Sequence, residues 1–262
     1  MFDPFNDFQT AGYLRNVEGL KDPQRIKFEE NFFFETRLED ALSQLRRRRG
    51  KLEYRDFLRV HETLFSDFYP WAGRDRHQLG VARMVSKGPQ VQFEVSEQCR
   101  QAVEWGLRLG NDADRMRACP GEVMGAFAWG HPFLDGNGRA MLLVHSELCH
   151  RAGFAIDWIA SDKAAYLTAL THELNAPQDR ELDKYFSALI TEYRPRDDWV
   201  NYFKSIPGLS GMDEEQEHVE YQDGDSEALA RYEEVKRRRD EQMAADEPDI
   251  GGTHGAHRTH RR

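Results

Sequence analysis

Between positions 22 and 193 apolar residues recur at helical spacing in segment after segment, and only across residues 81–95 does the period change to two. That one change most constrains the fold, because a sequence with helical period does not settle as strand. It predicts a mainly α domain with one β-hairpin inserted. Asp22 is placed to cap and Pro23 to open a long helix carrying Leu38, Ala41, Leu42 and Leu45 at helical spacing. The four arginines at 46–49, ahead of Gly50, read as cations complementing the helix dipole before a glycine turn, not as a nucleic-acid patch. A second helix carries Phe57, Val60, His61, Leu64, Phe65 and Phe68 and stops at Pro70. Further helices are expected at 96–109, 120–130, 139–152, 162–174 and 179–193. In the interruption Val91, Phe93 and Val95 alternate with Gln92 and Glu94, and Lys87-Gly88-Pro89 supplies a turn.

The 262 residues suit one large domain or two small ones, and the charge divides them unevenly. Residues 210–262 hold 15 acidic and 8 basic side chains, a net of -7, which leaves -3 of the total -10 for residues 1–209. The expected division is therefore a domain at 1–209, with its core at about 13–193, and an acidic, largely disordered tail at 210–262. The tail has too few large apolar residues to offset its ordering entropy. It allows one polar helix at 226–243, which Ser226 can cap and in which Glu233 and Glu234 precede Arg237 and Arg238 by four. His254, His257 and His260 read as part of a solvated end, not a metal site.

Several classes drop out. A net charge of -10 disfavours a generic binder of nucleic acid or anionic membrane. The longest apolar runs, such as Met141 to Val144, fall far short of the ~20 residues of a membrane span. Met1-Phe2-Asp3-Pro4 shows neither the basic nor the apolar region of a secretory signal. Cys99, Cys119 and Cys149 are odd in number, widely spaced and without a C-x-x-C pair, which suits a reduced compartment. The expected location is cytoplasmic, with delivery into another cell left open.

The chemistry concentrates in His131-Pro132-Phe133-Leu134-Asp135-Gly136-Asn137-Gly138-Arg139, between two apolar helical runs. Two glycines flanking Asn137 predict a tight loop that opens onto a helix N-terminus, where backbone N–H groups and the dipole favour an anion. An arginine in a first helical turn opposes the dipole, so Arg139 points to a negative partner, and its planar fork suits phosphate. Asp135 is a hard oxygen donor of the kind Mg2+ shares with phosphates. His131 is placed to act as a general base near neutral pH.

This segment resembles the Fic family motif HxFx(D/E)GNGRxxR, at His131, Phe133, Asp135, Gly136, Asn137, Gly138 and Arg139. Tyr69-Pro70-Trp71-Ala72-Gly73-Arg74-Asp75-Arg76 is similar to the family's YPWAGxxR segment, and Ser86-Lys87-Gly88 through Phe93 falls where the family carries a β-hairpin flap. The resemblance implies a mainly α-helical Fic-type domain that transfers AMP from ATP to a Ser, Thr or Tyr hydroxyl of a target protein and releases pyrophosphate. It implies His131 as the base and Asp135 as the Mg2+ ligand. Asn137, with the backbone of Gly136 and Gly138, would hold phosphate, and Arg139 would neutralise charge. The flap residues Ser86, Lys87, Gly88, Val91 and Phe93 would bind the target, pairing with an extended segment of it.

One position departs from the pattern: the motif's second arginine falls at 142, where this chain has Leu142. Its loss would weaken ATP binding, change the nucleotide or leave a non-catalytic Fic-like binding module. A Fic-type transferase with another phosphate-containing donor is thus the alternative to AMP transfer. Leu142 either faces the phosphates or packs in the core. Many members are inhibited by a helix with the pattern (S/T)xxxE(G/N), their own or lent by a small partner, so an antitoxin-like protein is a candidate partner. The chain has no such match: Glu30-Asn31 follows Ile26 where Ser or Thr is required, and Ser210 with Glu214 is followed by Glu215. Self-inhibition through that helix is not expected.

Overall fold

A computed structural model describes residues 2–88, 90–210, 219–221 and 225–245. In chain order the elements are α1 (Phe8–Ala11), α2 (Pro23–Arg47), α3 (Tyr54–Phe65), α4 (Arg76–Leu79), β1 (Val85–Lys87), β2 (Val91–Gln92), α5 (Cys99–Gly110) and α6 (Ala113–Ala118). They continue through α7 (Pro120–Gly130), α8 (Asn137–Arg151), β3 (Phe154–Ile156), α9 (Lys163–Asn175), α10 (Glu181–Ser187), β4 (Ile190–Glu192), α11 (Trp199–Lys204), β5 (Val219–Tyr221) and α12 (Ser226–Ala245). The architecture is mainly α with small antiparallel sheets, as the hydrophobic period predicts.

Helix α7 is the centre. Every one of its residues is buried, and apart from Glu122 it is apolar all round, as befits a helix surrounded by others. Helices α5, α8, α9 and α10 pack against it. Long α2 lies across α3 and α8 and starts where expected: Pro23 opens it and the Asp22 carboxylate accepts from the Arg25 N–H at 2.9 Å. This arrangement brings the C-terminus of α7 and the N-terminus of α8 to the same place, with α2 and α3 alongside.

Three stretches differ from the sequence expectation. The helix expected at 179–193 ends at Ser187, and Ile190–Glu192 pairs with Phe154–Ile156 as a two-stranded sheet. Strand pairing along a face already apolar at Phe154 and Ile156 outweighs the weak helical pattern there. Short α6 was not expected; the Asp112 carboxylate caps it by accepting from the Asp114 and Arg115 N–H groups. The second helix stops at Phe65, with buried Phe68 in the turn beyond.

The tail differs as well. The polar helix expected at 226–243 spans Ser226–Ala245, and one face is buried: Ala228, Tyr232, Val235 and Arg239. That stretch contains five acidic and five basic residues, so the acidic excess lies in the segments around it. Averaging over 53 residues hid a neutral helix with a packing face. Much of the acidic tail, the terminal histidines and Pro89 of the hairpin turn lie outside the described residues.

Candidate active site

The loop between α7 and α8 is held from three sides. His131 ends α7 in a left-handed conformation (φ +37°, ψ +56°), sparsely populated for a residue with a Cβ. Arg76 keeps it there: its Nε donates to the His131 carbonyl at 2.8 Å and its backbone N–H to the Pro132 carbonyl at 2.8 Å. Asn137 bridges the loop from the first turn of α8. Its Oδ1 accepts from the Phe133 N–H (2.9 Å), and its Nδ2 donates to the Phe133 carbonyl (2.8 Å) and to His131 Nε2 (3.1 Å). The two bonds to Phe133 fix which end of the amide is nitrogen. His131 Nε2 is therefore an acceptor, and the proton of the neutral ring is assigned to Nδ1.

The third support is His61. Its Nδ1 accepts from the Gly73 N–H at 3.0 Å, which leaves Nε2 to donate to the Asp135 carbonyl at 2.9 Å. Burial pushes its imidazole down to about 3, so this tautomer persists at neutral pH, and the ring lies flat on Phe133, centroids 3.7 Å apart. Gly136 must be glycine twice over: its φ is +74°, and a Cβ would sit 2.6 Å from the Phe65 ring and 3.0 Å from His61 Nε2. A Cβ at Gly138 would meet nothing within 4 Å, so the N-terminus of α8 is open on that side.

Charge is gathered around this opening. Arg139 Nη2 donates to Glu30 Oε2 at 3.1 Å, and the guanidinium lies 4.7 Å from the Phe65 ring centroid. Its Nη1 is buried with no hydrogen-bond partner. A buried guanidinium nitrogen without an acceptor is costly unless an anion completes it. Glu30 Oε1 accepts from the Tyr69 hydroxyl at 2.7 Å. Burial, and then the Asp135 charge, push the Glu30 carboxyl up to about 7, against Arg139, which lowers it. Asp135 Oδ1 accepts from the Gly136 N–H at 2.6 Å. A carboxyl raised in this way by a neighbouring carboxylate fits a divalent cation beside the pair, with Asp135 as its ligand. Among the described residues no group of three or more His, Cys, Asp and Glu is assembled for a metal, so such a cation would take its remaining ligands from phosphate and water.

The hairpin closes the site from above. Phe93 stacks on the His131 ring, centroids 3.8 Å apart and planes at 17°. Burial, and after it the Arg76 and Lys87 charges, hold the imidazole well below its ordinary range. His131 is neutral throughout the physiological range. Arg76 also ties the hairpin's entry to its exit, donating to the carbonyls of Ala82, Arg83 and Glu94. Of the expected flap residues, Val91 and Phe93 are buried and join the core, Ser86 is fully buried, and Gly88 turns the chain at φ +58°. Phe93 is thus both core and site.

One expectation changes, and one open alternative closes. Asn137 was expected to hold phosphate, but its side chain is spent on Phe133 and His131, so here it orients the His131 ring. Leu142 is 6% exposed and belongs to the core, so the site of the missing arginine is not an open vacancy. Sequence reading also missed Glu30, His61, Tyr69, Arg76 and Glu94 as working parts. His61, Tyr69 and Glu94 are polar residues beside apolar ones, a pattern that flags burial but not the partner, whereas Glu30 and Arg76 have polar neighbours that read as a solvated face.

Residues 51–149 match the sequence model of the Fic/DOC family. The chain is 32% identical over 160 residues to protein adenylyltransferase VbhT of Bartonella schoenbuchensis, covering 60% of this chain and 32% of that protein. It is 27% identical over 168 residues to probable protein adenylyltransferase y4lH of Sinorhizobium fredii, covering 60% of this chain and 81% of that one. The chain thus spans about a third of the first relative and most of the second. Among solved structures, it resembles the N-terminal Fic domain of a cell filamentation protein of Bartonella quintana with bound ADP (TM-score 0.56, 22% identity, 71% of this chain and 94% of that one). It also resembles BepC of Bartonella tribocorum with bound AMPPNP (TM-score 0.53, 19% identity, 68% and 92%).

Proposed function

We propose that the chain, whose residues 51–149 match the Fic/DOC family, transfers AMP from ATP to a hydroxyl of a Ser, Thr or Tyr in a target protein, releasing pyrophosphate. The observation that carries this reading is the pairing of a neutral His131, its acceptor nitrogen fixed by Asn137, with Arg139 Nη1 buried and without an acceptor. A proton acceptor and an anion site open onto the same helix N-terminus. Nucleotides in two solved relatives and the names of two curated ones support it.

In this reading the α8 N-terminus and Arg139 bind the phosphates, and the Asn137 N–H gives up its bond to His131 Nε2 so that this nitrogen takes the proton as the target oxygen bonds to the α-phosphorus. The bond to the bridging oxygen breaks and pyrophosphate leaves. A Mg2+ ion held by Asp135 would neutralise phosphate charge when bound. Preorganised charge and positioning do most of the work in such transfers. The target segment is extended and pairs with the hairpin around Ser86, Lys87 and Gly88, and the chain acts in the cytoplasm of the cell that makes it or receives it. No described helix is long and apolar enough to cross a membrane. Incubation with Mg2+ and labelled ATP, GTP, UTP or CTP tests the reading. Label from ATP is expected to enter protein; preferential labelling from another nucleotide would favour a different donor, and none at all a binding module.

A further inference from the structure

The hairpin has one open strand edge. β2 lies against α9 and α12, and the Asn175 side chain donates to the Gln90 carbonyl beside it at 3.1 Å. β1 therefore carries the hairpin's free edge, the one on which an added strand could pair. In this structure that edge is taken: β5 runs antiparallel to β1, with Val85 opposite Tyr221, Ser86 opposite Glu220 and Lys87 opposite Val219. Four residues separate β5 from α12, so the place where α12 docks decides where β5 can lie. α12 docks on the hairpin itself. The Tyr232 hydroxyl donates to Glu94 Oε1 at 2.6 Å and Lys236 Nζ to Glu94 Oε2 at 2.9 Å. Glu94 is 1% exposed and follows the Phe93 that covers His131. Further along, Arg239 pairs with buried Glu173 at 3.3 Å, and Gln242 donates to Glu122 at 2.8 Å.

We infer that residues 219–245 form a strap acting in cis, in which α12 is the anchor and β5 fills the strand edge that a target segment must pair with. This rests on the proposed transfer to an extended segment; the edge and its occupant do not. A tethered strand competes at a high effective concentration, so a free segment binds only when β5 leaves. The strap differs from an inhibitory helix: it blocks the target side and leaves the nucleotide side open.

The test uses the full chain and a variant carrying Val219→Pro and Glu220→Pro, which removes two backbone donors from β5 and cannot pair as strand. Amide hydrogen exchange at residues 85–87 should quicken by about tenfold or more in the variant, as expected when a strand edge is uncovered, with little change in α7 and α8. A synthetic peptide of residues 216–224 should restore protection in the variant and bind the parent chain far more weakly. With labelled ATP and Mg2+, labelling of unfolded casein as a generic source of hydroxyl-bearing segments should rise severalfold, and the peptide should reverse the rise. Lys236→Met, which loosens the anchor without touching β5, should give a smaller change of the same sign. Unchanged exchange at residues 85–87, or equal binding of the peptide to both proteins, would overturn the strap. So would quickened exchange with unchanged casein labelling in an enzyme that labels. If neither protein labels anything, the transfer reading fails, and exchange with peptide binding still decides the strap.

Discussion

At the scale of single residues, His131 is the group on which the proposed chemistry turns. The low proton affinity of its ring is a product of its cover: the Phe93 ring and the surrounding core exclude water. A base that stays neutral makes transfer insensitive to pH on the acid side. Phe93→Ala would admit water and let the imidazole return toward its ordinary value of about 6.5. As pH drops below about 6.5 the variant's rate should then fall more steeply than the parent's. Melting should also show a cost, about 3 kcal/mol for an aromatic ring lost from a core; a pH profile identical to the parent's would reduce Phe93 to packing alone.

Glu30 gives a second residue-scale prediction, in stability. Its folded-state carboxyl titrates at about 7, above the ordinary value of about 4.3 expected in the unfolded chain. The folded state therefore holds the extra proton between those values. The stability this contributes is present in full below about 4.3 and is lost as pH rises through 7. Compared with Glu30→Gln, the parent should lose melting temperature progressively across that window. Parallel melting curves at every pH would show that Glu30 is not protonated in the folded protein. Leu142→Arg, by contrast, would place an unpaired guanidinium in a packed site. The expected result is a loss of about 3–5 kcal/mol without tighter ATP binding, and tighter binding at unchanged stability would contradict the core placement.

At the scale of elements, the site is assembled by a few clamps. Arg76 is fully buried and its guanidinium donates to four backbone carbonyls, those of His131, Ala82, Arg83 and Glu94. Its fork spans the hairpin's two ends and the end of α7 together. Lysine keeps the charge but not the fork, so Arg76→Lys should cost about 3 kcal/mol, roughly 6–12 °C in melting temperature for a chain this size. A loss under about 2 °C would mean that the hairpin is held by its apolar face instead.

The elements also show what the sequence made legible. Periodicity located α2, α3, α5, α7, α8 and α9, because each carries a clear apolar stripe or a cap such as Asp22 or Asp162. It could not find β3 and β4, three residues each, whose stability comes from pairing across more than thirty positions of chain. The motif proposed His131, Asp135 and Arg139 from residue type alone, as base, cation ligand and phosphate fork. It misread Asn137, since spacing does not say which way an amide points. It was blind to Glu30, which lies 109 positions from the Arg139 it pairs with.

At the scale of the whole molecule, the chain encloses its reacting groups instead of displaying them. α2 presents Glu30 to Arg139, the hairpin lays Phe93 on His131, and α12 reaches back to grip Glu94 from 138 positions away. Tail composition suggested a solvated appendage, yet Arg239, 1% exposed against Glu173, is among the most buried charges described.

The central claim is that this enclosure transfers AMP with His131 as the base, and the most direct measurement compares two positions of label. The protein with Mg2+ is given ATP labelled at the α-phosphorus or at the γ-phosphorus, beside the same reactions with His131→Ala. The account predicts that α-label enters protein, that γ-label does not, and that His131→Ala lowers incorporation by about 10²–10⁴-fold while the variant melts and binds ATP nearly as the parent does. Entry of γ-label, or more than about a tenth of the parent's incorporation in His131→Ala, would contradict it.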